Sequence, residues 1–205
     1  NNTLDGKAGA DIMEGWVGND TYYVDDPGDV VIDYIGNDHV FASVDRTLSS
    51  GLDDLTLIGD AVSAIGNDSD NELVGTSKAN ILDGRDGKDI LTGGGGADVF
   101  VIRSAVRGSK ADVITDFNSA EGDRLALPAF MFGSNSLPDV ETVGSFSALL
   151  SSLKTDSDFV YNSQNGYLYY NGNGSSHGLG SDGGLLAVFS NKPSGVDSFI
   201  ELPEI

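Results

Sequence analysis

Residues 84 to 101 read Gly84-Arg85-Asp86-Gly87-Lys88-Asp89-Ile90-Leu91-Thr92-Gly93-Gly94-Gly95-Gly96-Ala97-Asp98-Val99-Phe100-Val101, two nine-residue units end to end. Each has glycine at its first and fourth positions, aspartate at its sixth and a large apolar residue at its eighth. Glycine permits a positive φ and close backbone approach, and the three residues after the aspartate form a very short strand with Leu91 or Phe100 on one face. A turn plus a strand cannot bury that apolar residue alone. Repetition of the unit can, because stacked copies share one core. Two units make one coil, so the aspartates stack at an interval of eighteen residues.

The same row extends upstream. Asn71 and Asn80 precede Asp89 and Asp98, and an earlier block carries Asn2, Asp11, Asp20, Asp29 and Asp38 at the same period. Two positions after each comes Leu4, Met13, Tyr22, Val31 or Val40 in the first block and Leu73 or Leu82 in the second. From Ala42 to Leu52 the phase slips, and it resumes with Asp53, Leu55 and Leu57. The chain therefore divides into a first repeat block (1–41), a phase-slipped coil (42–65), a second block with the end of the roll (66–127) and a carboxy-terminal β-rich cap (128–205).

Composition restricts the partners. With 32 acidic against 11 basic residues the net charge is -21, which disfavours nucleic acid and anionic membrane surfaces. Cysteine is absent, so disulfides and thiolate metal sites are excluded. No run has the apolar length of a membrane span, and the first residues lack the basic and apolar segments of a signal peptide. The chain opens inside a repeat, which predicts a larger protein upstream.

Carboxylates stacked one coil apart lie about 5 Å from each other, given the roughly 4.8 Å spacing of neighbouring strands. At an effective dielectric between 20 and 80 each pair repels by about 1 to 3 kcal/mol. A ladder of such pairs rivals the roughly 5 to 15 kcal/mol that holds a domain together. A divalent cation between the loops reverses the sign. Carboxylate and carbonyl oxygens suit calcium, magnesium demands a stricter octahedron, and zinc would find only His39 and His177.

These units match G-G-x-G-x-D-x-U-x, the calcium-binding repeat of RTX proteins. The chain resembles the carboxy-terminal, hemolysin-type calcium-binding region of secreted RTX proteins, strongly over residues 1–41 and 66–101. That resemblance implies an all-β, right-handed parallel β-roll, a β-solenoid holding several Ca2+ ions, each shared by two loops one coil apart. It implies one site from Lys7, Gly9 and Asp11 with Val24, Asp26 and Asp29, and a second from Trp16, Gly18 and Asp20 with Asp33, Ile35 and Asp38. The second block would contribute Asn67, Ser69 and Asn71 with Gly84, Asp86 and Asp89, and Thr76, Lys78 and Asn80 with Gly93, Gly95 and Asp98. Asn2 with Asp20 and Asp98 with Asp116 are further pairings of the same kind. The side chain would be the ligand at Asp11, Asp20, Asp29, Asp38, Asn71, Asn80, Asp89 and Asp98, and the main-chain carbonyl at the other residues, Asp26, Asp33 and Asp86 included. Asn71 and Asn80 give their sites one carboxylate fewer, Lys78 stands where the pattern has glycine, and Pro27 interrupts the loop before Asp29.

Beyond the repeats, Ala111–Phe117 and Gly122–Leu127 read as short strands with acidic turns. Phe146, Leu149, Leu150 and Leu153 recur at helical spacing behind Ser145, predicting one short helix. Phe159–Tyr161 and Tyr167–Tyr170 flank Asn165-Gly166, a hairpin signal, and Leu185–Phe189 reads as another strand. The end, Asp197–Ile205, is similar to the uncleaved signal of type I secretion substrates and reads equally well as an edge strand.

Asp25-Asp26 and Asp53-Asp54 read as solvated or calcium-adjacent rather than catalytic, and no serine or histidine sits in a nucleophile motif. Asn171-Gly172-Asn173-Gly174 reads as a glycine-rich turn, and Trp16 as an exposed packing residue. The expected protein is a non-enzymatic calcium-binding module that folds outside the cell after passage through type I secretion machinery. The alternatives are the non-catalytic end of a secreted enzyme and a self-associating adhesin or surface-layer component.

Overall fold

The computed structural model describes residues 1–103, 110–127, 140–143, 159–171, 183–194 and 200–201. Within them the short runs after each Asp or Asn become strands, because three residues in extended conformation bury the central side chain and expose its two neighbours. One row contains β1 (Thr3–Asp5), β3 (Thr21–Val24), β5 (His39–Ala42), β7 (Asp54–Leu57), β9 (Glu72–Val74), β11 (Ile90–Thr92) and β13 (Asp112–Ile114). The opposite row contains β2 (Ile12–Val17), β4 (Val30–Ile35), β6 (Arg46–Thr47), β8 (Ser63–Ile65), β10 (Ile81–Asp83), β12 (Val99–Val101) and β14 (Arg124–Ala126). Neighbours within each row pair in parallel, except that β4 and β6 do not pair. The molecule is a β-roll of stacked coils, the architecture expected from the repeats.

Register places the apolar residues of the repeat directly above one another. Leu4 pairs with Tyr22, Tyr22 with Val40, Leu55 with Leu73 and Leu73 with Leu91 in the first row. Leu82 pairs with Ala64 on one side and Phe100 on the other in the second. Tyr22, Val40, Leu55, Leu73, Leu82, Leu91 and Phe100 are fully buried between the rows. At the phase slip Val40 pairs with Leu55. That coil is three residues shorter than its neighbours, and the second row breaks there, β2 and β4 forming a separate sheet from the one that begins at β6. The Arg46 guanidinium sits at the break and donates to the Asp29 carbonyl (2.9 Å).

Past Val101 the coils lengthen, yet the stack continues. Leu91 pairs with Ile114 and Phe100 with Leu125. The hairpin signal at Asn165-Gly166 is borne out. Strands β16 (Phe159–Asn162) and β17 (Tyr167–Tyr170) pair antiparallel, with Gly166 at φ +78° in the turn. Strand β18 (Gly184–Phe189) pairs antiparallel with β17 and parallel with β13. The cap strands, with β15 (Val140–Val143) outermost, thus extend the first row into one eleven-stranded sheet. Strand β19 (Ile200–Glu201) pairs with β14 and forms the edge of the second row.

Among the described residues there is no helix. The helix predicted around Phe146, Leu149, Leu150 and Leu153 lies outside them, as does most of the proposed terminal signal. The roll joins the cap through aromatic packing. Phe117 lies 5.9 Å from Phe100 and 5.0 Å, edge-on, from Phe189, whose ring also meets Tyr161 edge-on at 5.8 Å. Replacing Phe189 by Ala should lower the stability of the calcium-loaded chain by about 3 to 5 kcal/mol, read from denaturant unfolding.

Candidate metal centre

Each turn between the rows ends in the Asp or Asn that precedes a strand, so these residues line the two edges of the roll. Their side chains form ladders. On one edge the Asp20 N–H donates to Asp38 Oδ1 (2.7 Å), Asp38 to Asp53 Oδ2 (2.8 Å), Asn71 to Asp89 Oδ1 (2.8 Å) and Asp89 to Asp112 Oδ1 (3.0 Å). On the other the Asp11 N–H donates to Asp29 Oδ1 (3.0 Å), Asn80 to Asp98 Oδ1 (2.8 Å) and Asp98 to Asp123 Oδ1 (2.9 Å). One carboxylate oxygen of each rung is held by the backbone of the coil before. The other is left to face its own loop.

At three rungs that second oxygen lacks a donor. Asp20, Asp38 and Asp89 are buried, and the Oδ2 atom of each has no hydrogen-bond partner. A buried carboxylate oxygen without a donor is costly unless a cation meets it. The available ligands are all oxygens, carboxylate and main-chain carbonyl, which fits a hard cation of calcium's kind.

Backbone conformation supplies the carbonyls. Lys7 and Gly9, Trp16 and Gly18, Arg85 and Gly87, and Gly94 and Gly96 have positive φ, two residues in each of four loops. At Gly94 this serves packing as well, since a Cβ there would stand 1.9 Å from the Thr76 carbonyl oxygen of the coil before. Thr76 O accepts from the Gly95 N–H (3.0 Å), bringing loops 75–80 and 93–98 into contact. Ile35 O likewise accepts from the Gly18 N–H (2.8 Å) across loops 15–20 and 33–38. Ser69 lies against Gly87, and Gly84 against Gly66, joining loops 66–71 and 84–89.

The remaining expected loop pair, 6–11 with 24–29, is also stacked, with Gly28 against Ala10. Its carbonyls are more engaged. Val24 O accepts from Ser43 N–H (3.0 Å) and Asp26 O from Asp29 N–H (3.1 Å), while Asp29 Oδ2 accepts the Asp25 and Asp26 N–H groups at 3.2 Å each. Lys78 does not adopt the positive φ of the glycine it replaces, and its ammonium pairs with Asp60 one coil upstream. The Trp16 side chain is exposed beside Tyr34, at 5.9 Å. His39 stacks on Phe41 (4.4 Å) and hydrogen-bonds Thr56 on the outer face, away from the loops. His177 and Gly172–Gly174 lie outside the described residues.

Three features escaped the sequence reading. Asp112 and Asp123 continue the two ladders, 23 and 25 residues after Asp89 and Asp98. Asp116, expected one coil beyond Asp98, instead accepts from the Gly93 (2.9 Å) and Gly94 (2.8 Å) N–H groups. The repeat signature of an Asp two residues before an apolar partner survives in Asp112/Ile114 and Asp123/Leu125, but longer loops hide the period. The third is the Asp33 carboxylate, which stands with those of Asp20 and Asp38, their ligand atoms within 4.8 Å of one another.

Burial and mutual repulsion act on the ladder's protons. Burial, reinforced by the charges of Asp112 and Asp70, pushes the Asp89 carboxyl up to about 8. Burial pushes Asp98 and Asp112 up to about 6 and raises Asp38 and Asp123 as well. A carboxyl whose folded value lies above its unfolded value of 3.8 stabilises the fold below that value and loses the contribution as pH climbs through the folded one. In chelator the β-rich circular dichroism should therefore be strongest near pH 4 and fade towards pH 8. With calcium present the neutral-pH signal should persist, because the ion replaces the protons.

A model of the RTX calcium-binding nonapeptide repeat matches residues 1–26 and 65–100, in four copies. No curated protein matches the chain. The matched residues include Asp20 and Asp89, whose Oδ2 atoms have no hydrogen-bond partner, while Asp38 lies beyond the first matched stretch. Residues 1–26 and 65–100 are thus RTX calcium-binding repeats, and calcium is the ion that repeats of this family bind.

Proposed function

We propose that this chain is a calcium-triggered folding module, the carboxy-terminal part of a larger bacterial protein exported by type I secretion. The observation that carries the reading is the ladder along one edge, in which the buried Asp20, Asp38 and Asp89 carboxylates each keep an Oδ2 atom without a hydrogen-bond partner, open to a cation. At the low calcium of a cytosol the stacked charges oppose the roll, and an extended chain can pass through a secretion channel. Outside, calcium of roughly 0.1 to 1 mM suits modules of this affinity class and couples binding to folding.

The proposed sites are the four loop pairs 6–11/24–29, 15–20/33–38, 66–71/84–89 and 75–80/93–98, within the divisions 1–41, 42–65, 66–127 and 128–205. The repeat roll is a structural calcium-binding module. Among the described residues no helix is long and apolar enough to cross a membrane.

Self-association is a second reading with its own support. Ile12, Trp16 and Val17 on β2 and Tyr34 and Ile35 on β4 form an exposed apolar face on one small sheet. Such patches mark contact surfaces. Light scattering should show calcium-dependent particles if this face assembles, and an unchanged monomer would reject assembly.

Chelation should abolish the β-rich circular dichroism at neutral pH and calcium should restore it cooperatively. A spectrum unchanged in excess chelator would overturn the folding trigger. In the same titration Asp89→Ala should raise the calcium requirement by about tenfold or more, and Asn80→Ala by less, because the former removes a carboxylate.

A further inference from the structure

We propose that loops 15–20 and 33–38 form a three-carboxylate calcium site, with the Asp33 side chain as a ligand, and that this site binds calcium most tightly and fills first. The inference rests on the calcium-triggered reading above and goes beyond a site of two stacked aspartates with carbonyls. One carboxylate oxygen each from Asp20, Asp33 and Asp38 lies within 4.8 Å of the other two. The residues are 1%, 3% and 0% exposed. Asp20 Oδ2 and Asp38 Oδ2 have no hydrogen-bond partner. Oxygens on opposite sides of a calcium ion stand about 4.6 to 5.2 Å apart and adjacent ones closer, so a single ion spans this set.

The position of Asp33 explains why its carboxylate reaches the ion. It occupies the first place of its loop, where Gly15, Gly66, Gly75, Gly84 and Gly93 stand in other units. A Cβ at that place points at the ligand carboxylate, 2.1 Å from Asp89 Oδ2 at Gly84 and 2.3 Å from Asp98 Oδ2 at Gly93. An aspartate there delivers its own oxygens into the site, provided the facing loop makes room. Gly15 makes that room: a Cβ on it would lie 2.5 Å from Asp33 Oδ2 and 2.0 Å from the Tyr22 hydroxyl.

Tyr22 fixes the carboxylate. Its hydroxyl, fully buried, donates to Asp33 Oδ2, and the Tyr34 N–H donates to Asp33 Oδ1 (2.7 Å). Each oxygen keeps a lone pair for an ion. Ligand charge and rigidity set calcium affinity, and this pair of loops offers three carboxylates where loops 66–71/84–89 and 75–80/93–98 pair one aspartate with an asparagine. Tyr22 also belongs to the core column, so filling this site fixes a packed side chain in the same event.

Calorimetric titration of the full chain with calcium tests the assignment. Both Asp33→Gly and Asp33→Asn should weaken the tightest calcium by roughly tenfold or more and leave weaker ions unchanged. Asp89→Ala should leave the tightest calcium in place and weaken a later one. Unaltered affinity for the tightest calcium in both Asp33 variants would overturn the proposal, whereas a wild-type chain that takes up no calcium would overturn the reading beneath it. Should Asp33→Gly fail to reach the calcium-loaded circular dichroism spectrum, Asp33→Asn decides, since it keeps the shape and an acceptor for Tyr22.

Discussion

Like charges stacked one coil apart govern this molecule. A parallel roll forces equivalent side chains into columns, and the columns at its two edges are carboxylates. Each is tethered by one oxygen to a main-chain N–H of the preceding coil, an arrangement that aligns the repulsion rather than relieving it. Apolar columns inside favour the stack while acidic columns at the edges oppose it in the absence of a cation. In the proposed function calcium settles that contest, and the ion is then part of the fold and not a ligand added to it.

Where the ladder is interrupted, other donors take over. Between the phase-slipped coil and the second block, Asn71 Nδ2 donates to the Asp53 carbonyl (3.0 Å), and Asn67 Nδ2 to those of Ser49 (2.9 Å) and Leu52 (2.7 Å). On the other edge Asn80 Nδ2 reaches the Ala61 carbonyl (3.2 Å) and Arg46 the Asp29 carbonyl. An asparagine in place of aspartate is therefore more than a weakened ligand. Its amide supplies the donor that lets the middle coil stack by hydrogen bonds.

The far end of the roll meets a different constraint, because a growing parallel sheet leaves a row of unpaired backbone groups. Strand β18 pairs with β13, and the antiparallel strands β17 and β16 follow it. Phe100, Phe117, Phe189 and Tyr161 close the core beneath them, and the Ser190 N–H and Asn191 side chain donate to the Ile114 (2.9 Å) and Phe117 (2.6 Å) carbonyls. The cap continues the first sheet and seals the apolar interior.

The sequence by itself determined the coil, its eighteen-residue stack, the inward column from Leu4 to Leu91 and the choice of a hard divalent cation. All follow from strict periodicity of glycine, acid and apolar residue, which local geometry converts directly into strands and turns. It also marked the Asn165-Gly166 hairpin, since that turn chemistry is local. Tertiary structure alone decided that a coil three residues short keeps the first row and breaks the second, that Asp112 and Asp123 rejoin the ladders, and that β18 pairs with β13. It likewise set the Asp33 carboxylate beside those of Asp20 and Asp38. These outcomes depend on loop lengths outside the period and on contacts between residues far apart in the chain, so no spacing rule could have expressed them.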